Sequence, residues 1–263
     1  MLDEAGILDD CLRIGKAQNL GCFRAPGPNG KVYAVTDWKK TEKYNKYPYS
    51  LMIGQHLIAG IILERLAQYS STQVLFNHEV IHLAQDDRGV TLKVRNILNG
   101  TEVELKASYV VGADGGRSFV RRAIGQQLEG FTYENEIFVA ANIYFPFENY
   151  PEYLTRNFLV DEKQWAVVAR TGREGEPWRV AYGEDPNIPE AEIRERAASR
   201  IRELLPGPEP FEIVRLQPYR VHQRTADKYR VGRVLLAGDA AHLNNPIGGE
   251  CSRTMMYRLS HAG

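Results

Sequence analysis

The sequence carries no excess of either charge, because lysine plus arginine and aspartate plus glutamate both number 33 in 263 residues. Nucleic-acid-binding proteins usually carry a basic excess, so the charge balance argues against a nucleic-acid partner. Apolar stretches stop well short of the ~18 residues that a membrane-spanning helix needs. We therefore predict no membrane span and no nucleic-acid partner.

Cysteine is also scarce. The three thiols, Cys11, Cys22 and Cys251, lack the spacing of a metal site or a redox pair, so no metal ligand is predicted. An odd number of cysteines without a signal sequence is typical of a reducing compartment, and a cytoplasmic protein is expected. The composition is otherwise that of a globular protein, with 43% hydrophobic residues and enough length for one large domain or two joined ones.

The first half of the chain predicts a helix and a group of strands. Residues 1–50 are expected to be irregular apart from a short strand at 32–35. A helix follows, and its buried stripe is predicted to consist of Leu57, Ile58, Ile61, Ile62 and Leu66. Strands are then predicted at 72–83, 89–95 and 102–112, and Asn99-Gly100 is a hairpin turn between the last two. The run at 109–111 predicts a strand buried on both sides.

The second half predicts a larger antiparallel sheet. Aromatic-rich strands are expected at 136–147, 157–170, 178–184 and 211–220. A helix at 189–205 interrupts them, with Pro189 at its first position and one apolar face formed by Ile193, Ala197, Ile201 and Leu204. A second short apolar run, at residues 234–237, follows the strands of this sheet. The fold class predicted is α/β, a doubly wound nucleotide-binding layer with an inserted antiparallel sheet.

The first chemical motif is VVGADGGRS at residues 110–118. A strand breaks into glycines and then into a helix, an arrangement that places ligands at the carboxyl edge of a sheet. Gly115 and Gly116 permit close backbone approach, the helix start offers free N–H groups to a phosphate, and Arg117 could add a charge-assisted contact. The alternative is a glycine-rich turn needed only for packing.

The second motif is RVLLAGDAAH at residues 233–242, followed by NNPIGG at 244–249. A buried strand presents Asp239 at its tip, where a carboxylate can accept hydrogen bonds from ribose hydroxyls. For His242, a satisfied polar residue at a helix start is favoured over a catalytic base, and no catalytic residue is predicted. Pro246 and the glycines behind it could lie against a flat ring or form a simple turn.

The two motifs together, with an antiparallel sheet between them, resemble those of the FAD-dependent aromatic hydroxylases of the p-hydroxybenzoate hydroxylase and phenol hydroxylase type. The resemblance runs from about residue 1 to Gly249. It implies an FAD- and NAD(P)H-dependent monooxygenase that uses dioxygen, through a flavin hydroperoxide, to hydroxylate a small aromatic substrate. It assigns residues 1–128 and 223–263 to a FAD-binding domain and 129–222 to a substrate-binding sheet, and it leaves the oligomeric state open.

The resemblance also implies site residues. The cofactor-binding residues implied are Gln55, Gly112, Asp114, Gly115, Arg117, Gly238, Asp239, Pro246, Gly248 and Gly249. Substrate-contacting candidates on the sheet are Tyr144, Phe158, Trp165, Trp178, Tyr219 and Arg220, and for the aromatic ones a plain core position is the competing interpretation. For Arg220 and its neighbour Arg224, which could meet a substrate anion or a nucleotide phosphate, a surface ion pair is the alternative.

The sequence departs from the family pattern at two places. No G-x-G-x-x-G occurs, and residues 2–15 resemble the stretch that follows that unit, so a Rossmann-like layer lacking its first βαβ unit is expected. After Gly249 the sequence ECSRT replaces the family's glycine- and asparagine-bearing helix. Both departures predict weak FAD binding and impaired activity. The alternatives are a non-catalytic remnant or fragment of such an enzyme, or a related flavin-dependent oxidoreductase.

Overall fold

A computed structural model describes residues 2–161 and 165–246. The α-helices in these ranges are α1 (Leu8–Ile14), α2 (Gln55–Leu66), α3 (Phe119–Ala123) and α4 (Glu190–Leu204). Short 3₁₀ helices cover Trp38–Thr41, Phe147–Asn149 and Gly238–Ala240. The strands are β1 (Lys16–Gln18), β2 (Leu20–Arg24), β3 (Val32–Asp37), β4 (Ser50–Met52), β5 (His78–Gln85), β6 (Val90–Asn96), β7 (Glu102–Ala107), β8 (Val110–Gly112), β9 (Leu128–Thr132), β10 (Ile137–Tyr144), β11 (Arg156–Leu159), β12 (Ala166–Arg170), β13 (Trp178–Glu184), β14 (Glu212–Tyr219), β15 (His222–Ala226), β16 (Arg230–Val231), β17 (Val234–Leu236) and β18 (His242–Leu243).

These elements form two compact units. Unit 1 comprises residues 71–133 and, within the described range, 221–246; unit 2 comprises residues 2–70 and 134–220. The predicted domains instead grouped residues 1–70 with 71–128. The units differ from them because β2 pairs with β11 in parallel and with β3 in antiparallel fashion, which places the start of the chain in the large sheet.

Unit 1 contains three small sheets around one core. The strand orders of these sheets are β16-β17-β8, β5-β6-β7 and β18-β15-β9. The core contains Val90, Val120, Ala226, Val234, Leu236 and Ala241. The predicted Asn99-Gly100 turn joins β6 to β7, with Gly100 at φ 73°.

Three strand predictions for unit 1 need correction. The strand expected at 102–112 is two strands, β7 and β8, which belong to different sheets. The strand expected at 72–83 begins only at His78, because Asn77 takes a positive φ of 59° that interrupts extended backbone. The run at 109–111 is not buried on both sides. Val111 is 56% exposed, and β8 lies at the edge of the sheet that the described residues form.

Unit 2 is built on a seven-stranded sheet with the order β14-β10-β13-β12-β11-β2-β3. Helix α4 packs on one face of it, and the helix's buried residues are the predicted Ile193, Ala197, Ile201 and Leu204. Three of these share a core with Val139, Ala141 and Ile143 of β10, whose alternation gives one fully buried face. Pro189 is the N-cap of α4, one position before the predicted one.

Other predictions for unit 2 were wrong in detail. Residues 1–50 are not irregular, since they contain α1 and β1–β3 and reach the start of β4. The strand expected at 157–170 is a pair, β11 and β12, in antiparallel register. In α2 only Ile61 is fully buried, and Ile62 is 42% exposed. The α/β class with an inserted sheet is confirmed, and that sheet is antiparallel except for the parallel pair β2 and β11.

Candidate cofactor site

The two sequence motifs end neighbouring parallel strands of unit 1. β8 and β17 pair in parallel with Gly112 opposite Leu236, and the Ala237 N–H donates to the Gly112 carbonyl at 2.9 Å. Asp114 and Asp239 follow these strand ends by two and three residues. Because parallel strands end at the same edge of a sheet, the two loops lie side by side.

Two glycines of the first loop are required for different reasons. A Cβ at Gly112 would lie 2.6 Å from Cγ1 of Val120, so only glycine lets α3 pack against β8. Gly115 has φ +81°, which disfavours any side chain, and nothing lies within 4 Å of the position a Cβ would take. Gly112 is thus explained by packing, whereas Gly115 faces open space.

The Asp114 carboxylate organises its own loop. It accepts hydrogen bonds from the Ser118 hydroxyl and from the Val120 N–H, the latter at 3.0 Å. Ser118 in turn caps α3 by accepting from the Arg121 N–H at 2.9 Å. Burial acts to raise the pKa of Asp114, but the hydrogen bonds outweigh it, so the pKa lies below the ordinary value of 3.8. Asp114 is therefore an ionised structural acceptor that shapes the turn.

A cavity of about 810 Å³ opens beside this loop. Its lining includes Val111, Gly112, Asp114, Arg122 and the exposed Arg117. Arg117 leaves its guanidinium at the surface of this cavity, where an anionic group can reach it.

Arg121 joins the two loops, a role that the sequence did not reveal. Its side chain is buried, and its guanidinium donates to the carbonyls of Ala240 at 3.0 Å and Gly116 at 2.8 Å. One carbonyl belongs to each loop. Burial, followed by the neighbouring Arg122, lowers the pKa of Arg121, but an arginine stays charged in proteins.

The second loop presents its carboxylate to solvent. Gly238 has φ +59° and starts the 3₁₀ turn that carries Asp239. Asp239 is exposed, and its carboxylate makes no hydrogen bond within residues 2–161 and 165–246.

His242 lies buried in β18 rather than at a helix start. Its Nδ1 is 3.3 Å from the Asn244 Oδ1, and its ring stacks near Tyr229 with the centroids 6.3 Å apart. Its Nε2 is buried and has no hydrogen-bond partner among the described residues. The expected satisfied histidine is therefore satisfied at one nitrogen only.

The structure places only some of the remaining predicted cofactor residues in unit 1. Pro246 is described and exposed, whereas Gly248 and Gly249 lie outside the described residues. Gln55 belongs to unit 2, where it is the exposed first residue of α2.

The described residues contain no cluster of His, Cys, Asp or Glu suited to a metal ion. No helix among them is long and apolar enough to cross a membrane.

In unit 2, the sheet brings some of the predicted substrate residues together. Trp165 and Tyr219 both contact Phe138, with ring centroids 4.7 and 6.0 Å away. Trp165 also donates from Nε1 to Glu136 at 2.6 Å. Burial raises the pKa of the Tyr219 hydroxyl, and Arg179 opposes this.

The other substrate candidates lie apart from this group. Tyr144 ends the same strand, opposite Glu212, and Arg220 is exposed just after β14. Phe158 stacks on Phe23 at 5.0 Å. Trp178 packs in the core under the sheet, 4.3 Å from the ring of Phe147.

Unit 2 also contains a cavity of about 930 Å³ that the sequence did not predict. It opens between the N-terminus of α2 and one face of the sheet. Its lining carries the charged side chains of Arg13, Arg170, Arg173, Arg179, Arg215 and Glu176. This excess of arginine is local, because the whole chain carries equal numbers of basic and acidic residues.

Comparison with known proteins agrees with this architecture. The chain is 38% identical over 251 residues to para-nitrophenol 4-monooxygenase of Pseudomonas sp. (strain WBC-3), a match that covers 94% of this chain and 60% of that protein. It is 34% identical to 6-hydroxy-3-succinoylpyridine 3-monooxygenase of Pseudomonas putida (strain DSM 28022 / S16), covering 94% and 62%. The chain thus spans about three fifths of the length of these relatives.

Solved structures give the same result. The crystal structure of p-nitrophenol 4-monooxygenase from Pseudomonas putida DLL-E4 matches with a TM-score of 0.89 and 38% identity, over 99% of this chain and 65% of that one. Aklavinone-11 hydroxylase, solved with FAD and aklavinone, matches with a TM-score of 0.84 at 24% identity, which shows the shared fold. The FAD binding domain family matches residues 1–255. The chain therefore belongs to the FAD binding domain family and is a relative of the flavoprotein aromatic monooxygenases.

Proposed function

We propose that the chain binds FAD and provides the core of a monooxygenase that hydroxylates a small aromatic ring, with NAD(P)H as the reductant and dioxygen as the oxygen source. The observation that carries the proposal is the parallel pairing of β8 with β17, which sets the loops of Asp114 and Asp239 beside each other. Such a pair of loops can hold a dinucleotide, one loop beside its phosphates and the other beside its hydroxyls.

The residues of unit 1 fit that cofactor. The exposed Asp239 carboxylate can accept hydrogen bonds from sugar hydroxyls, and it has no competing partner among the described residues. The open space in front of Gly115 admits a phosphate close to the backbone, with Arg117 as a charge-assisted donor. Gly112 and Asp114 contribute by shaping the loop. Gln55, Gly238, Pro246, Gly248 and Gly249 stay proposed FAD neighbours by resemblance.

FAD, when bound, supplies the redox chemistry, and the protein supplies position and shielding from water. In unit 1, Arg121 holds the two loops together by donating hydrogen bonds to the Gly116 and Ala240 carbonyls. In unit 2, the half-buried Trp165 and Tyr219, which pack on the buried Phe138, offer an aromatic wall to an aromatic substrate. The names of the relatives support an aromatic substrate, since p-nitrophenol and 6-hydroxy-3-succinoylpyridine both contain an aromatic ring.

The direct test is a titration of the purified chain and of its Asp239→Ala variant with FAD, in which flavin fluorescence reports binding. We expect saturable binding of one FAD and a loss of about tenfold or more in affinity for the variant, because a charge-assisted hydrogen bond is removed. Asp227→Ala, which removes another exposed carboxylate of unit 1, is the matched control and should leave affinity unchanged. The weak binding expected from the sequence stays a prediction that the same titration measures.

The second half of the test is NAD(P)H oxidation by the FAD-loaded chain, with and without 4-nitrophenol. Aromatic-dependent oxidation with oxygen uptake is the expected result. An absence of saturable FAD binding at any concentration would contradict the proposal.

A further inference from the structure

Strand β7 forms one edge of the sheet β5-β6-β7 in unit 1, where β6 is its partner among the described residues. An edge strand directs half of its backbone N–H and C=O groups away from its own sheet, where a further strand can pair with them. All six residues of β7 are exposed, with Val103 at 47% and Leu105 at 40%. The outer side of residues 102–107 is called the β7 edge. It offers both backbone groups and apolar side chains to a partner strand.

The β7 edge is regular along its whole length. Its residues pair with β6 one by one, from Glu102 to Ala107, without a register shift. The other outer strand of this sheet, β5, has a shift between Val80 and His82, and β3 of unit 2 also has one. Bulges of this kind bend a strand and oppose pairing with another chain. β7 lacks that protection, and it contains no proline.

Side chains of β7 alternate between an apolar face and a charged face. Leu105 lies opposite Leu92 of β6, which packs against the core of unit 1. Glu104 and Lys106, on either side of Leu105, belong to the charged face. Their charged atoms are 3.6 Å apart, but both side chains are more than half exposed, so each can also reach a neighbouring chain.

Pairing of β7 with the same strand of a second copy is restricted by backbone geometry. Opposed residues of an antiparallel pair direct their N–H and C=O groups either both toward each other or both away. Two copies related by a two-fold axis must therefore place one residue of β7 directly opposite itself. With the axis at Val103 or at Glu104, glutamates oppose each other across the pair, and with the axis at Lys106, lysines do.

The axis at Leu105 is the interior register in which the charges that oppose each other are unlike. Leu105 then lies opposite Leu105 of the second copy, and Glu104 lies opposite Lys106 on both sides of the axis. Opposed unlike charges and opposed apolar side chains stabilise an antiparallel pair, whereas like charges destabilise it. Charge complementarity thus selects one register.

We propose that the β7 edge is a self-association surface, to which a second copy of this chain adds its own β7 in antiparallel register centred on Leu105. The two three-stranded sheets then form one continuous sheet. Because pairing along so short a strand gives a small interface, the dimer dissociates in the micromolar range. The proposal goes beyond the proposed function and needs neither FAD nor substrate.

The first experiment measures the mass of the purified chain by sedimentation velocity over a series of concentrations through the micromolar range. The variants are Glu104→Lys, Lys106→Glu and the double exchange Glu104→Lys/Lys106→Glu, which reverses both charges and keeps them complementary. Lys31→Glu is the matched control, because it makes the same change of charge at an exposed residue of unit 2. Circular dichroism verifies that each variant is folded.

We expect the wild type to form a dimer as its concentration rises. Each single β7 variant should weaken the dimer by about tenfold or more, because two attractive pairs are replaced by two repulsive ones. The double exchange should restore most of the wild-type association, and Lys31→Glu should leave it unchanged.

The second experiment tests the register by disulfide cross-linking in a Cys251→Ser background, since Cys11 and Cys22 are buried. Leu105→Cys places each new thiol opposite its own copy, with the Cβ atoms about 4.5–5.5 Å apart, so mild oxidation should join two chains. Val103→Cys is the matched control. Its two thiols lie about 13 Å apart in this register, which is the rise of four residues, and they should not cross-link.

Four results would overturn the proposal. These are a wild type that stays monomeric at every concentration, a loss of association in Lys31→Glu equal to that of the single β7 variants, a double exchange that fails to restore the dimer, and a disulfide in Val103→Cys without one in Leu105→Cys. Recovery in the double exchange separates a contact between two β7 strands from a folding defect in a single variant.

Discussion

Arg121 is the buried charged side chain that connects the loop of Asp114 to the loop of Asp239. Its guanidinium is buried and is hydrogen-bonded to a carbonyl of each loop. Replacement by methionine would leave both carbonyls without a donor. We predict that Arg121→Met lowers the free energy of unfolding by about 2–4 kcal/mol, since each buried polar group left unpaired costs ~1–3 kcal/mol.

The measurement is urea unfolding of the flavin-free chain, followed by circular dichroism. Arg122→Met is the matched control, because it removes the same charge at the next, exposed position. Stability lost equally in both variants would show that net charge, and not the bridge between the loops, is responsible.

Arg121 and Arg122 also show which property of a single residue the sequence does not predict, namely its burial. The motifs indicated that Asp114 and Asp239 each follow the end of a strand, because a strand followed by glycines is a local pattern. Arg121 and Arg122 are adjacent and chemically identical, so nothing local tells which one is buried. That depends on Ala240, a partner far along the chain. The same holds for Asp114, whose predicted role as a ligand gave no hint of its bonds to Ser118 and Val120.

At the scale of elements, α4 is the helix that stabilises the large sheet. Ile201 is fully buried in the core beneath β10. We predict that Ile201→Ala lowers the free energy of unfolding of unit 2 by about 2–5 kcal/mol, the range for large-to-small substitutions in a core. Tryptophan fluorescence measures it well, since Trp38, Trp165 and Trp178 all belong to unit 2. Glu195→Ala, on the exposed side of α4, should change stability little, and a comparable loss there would contradict the packing argument.

Elements were predictable where their pattern is local. The apolar face of α4 repeats with helical period and was predicted residue for residue. β2 and β3 were missed or only partly found, because β2 owes its place to parallel pairing with β11 more than a hundred residues later. The exposed Val111 was predicted to be buried, since a run of apolar residues reports a tendency to pair and not which neighbours are present.

At the scale of the whole molecule, charge and surface act together. Equal numbers of basic and acidic residues give an isoelectric point near 7.0, so the chain has little net charge to oppose self-association at neutral pH. The loops of Asp114 and Asp239 in unit 1 and the arginine-lined cavity of unit 2 are embedded in this neutral background. Local clustering of charge, and not total charge, therefore determines which small molecules the protein attracts.

β8 is one of the edge strands that can pair with another copy of the chain. It lies at the edge of its sheet among the described residues, and Val111 and the adjoining Tyr109 are both more than half exposed. A lysine on an edge strand opposes pairing with another chain, because the charge would have to be buried in the new sheet. We predict that Val111→Lys reduces aggregation of the flavin-free chain at pH 7, measured by light scattering on slow heating. Ala59→Lys, on the exposed side of α2, adds the same charge away from any edge. If both variants reduce scattering equally, net charge controls association; if Val111→Lys alone does so, the β8 edge is the contact through which the chains associate.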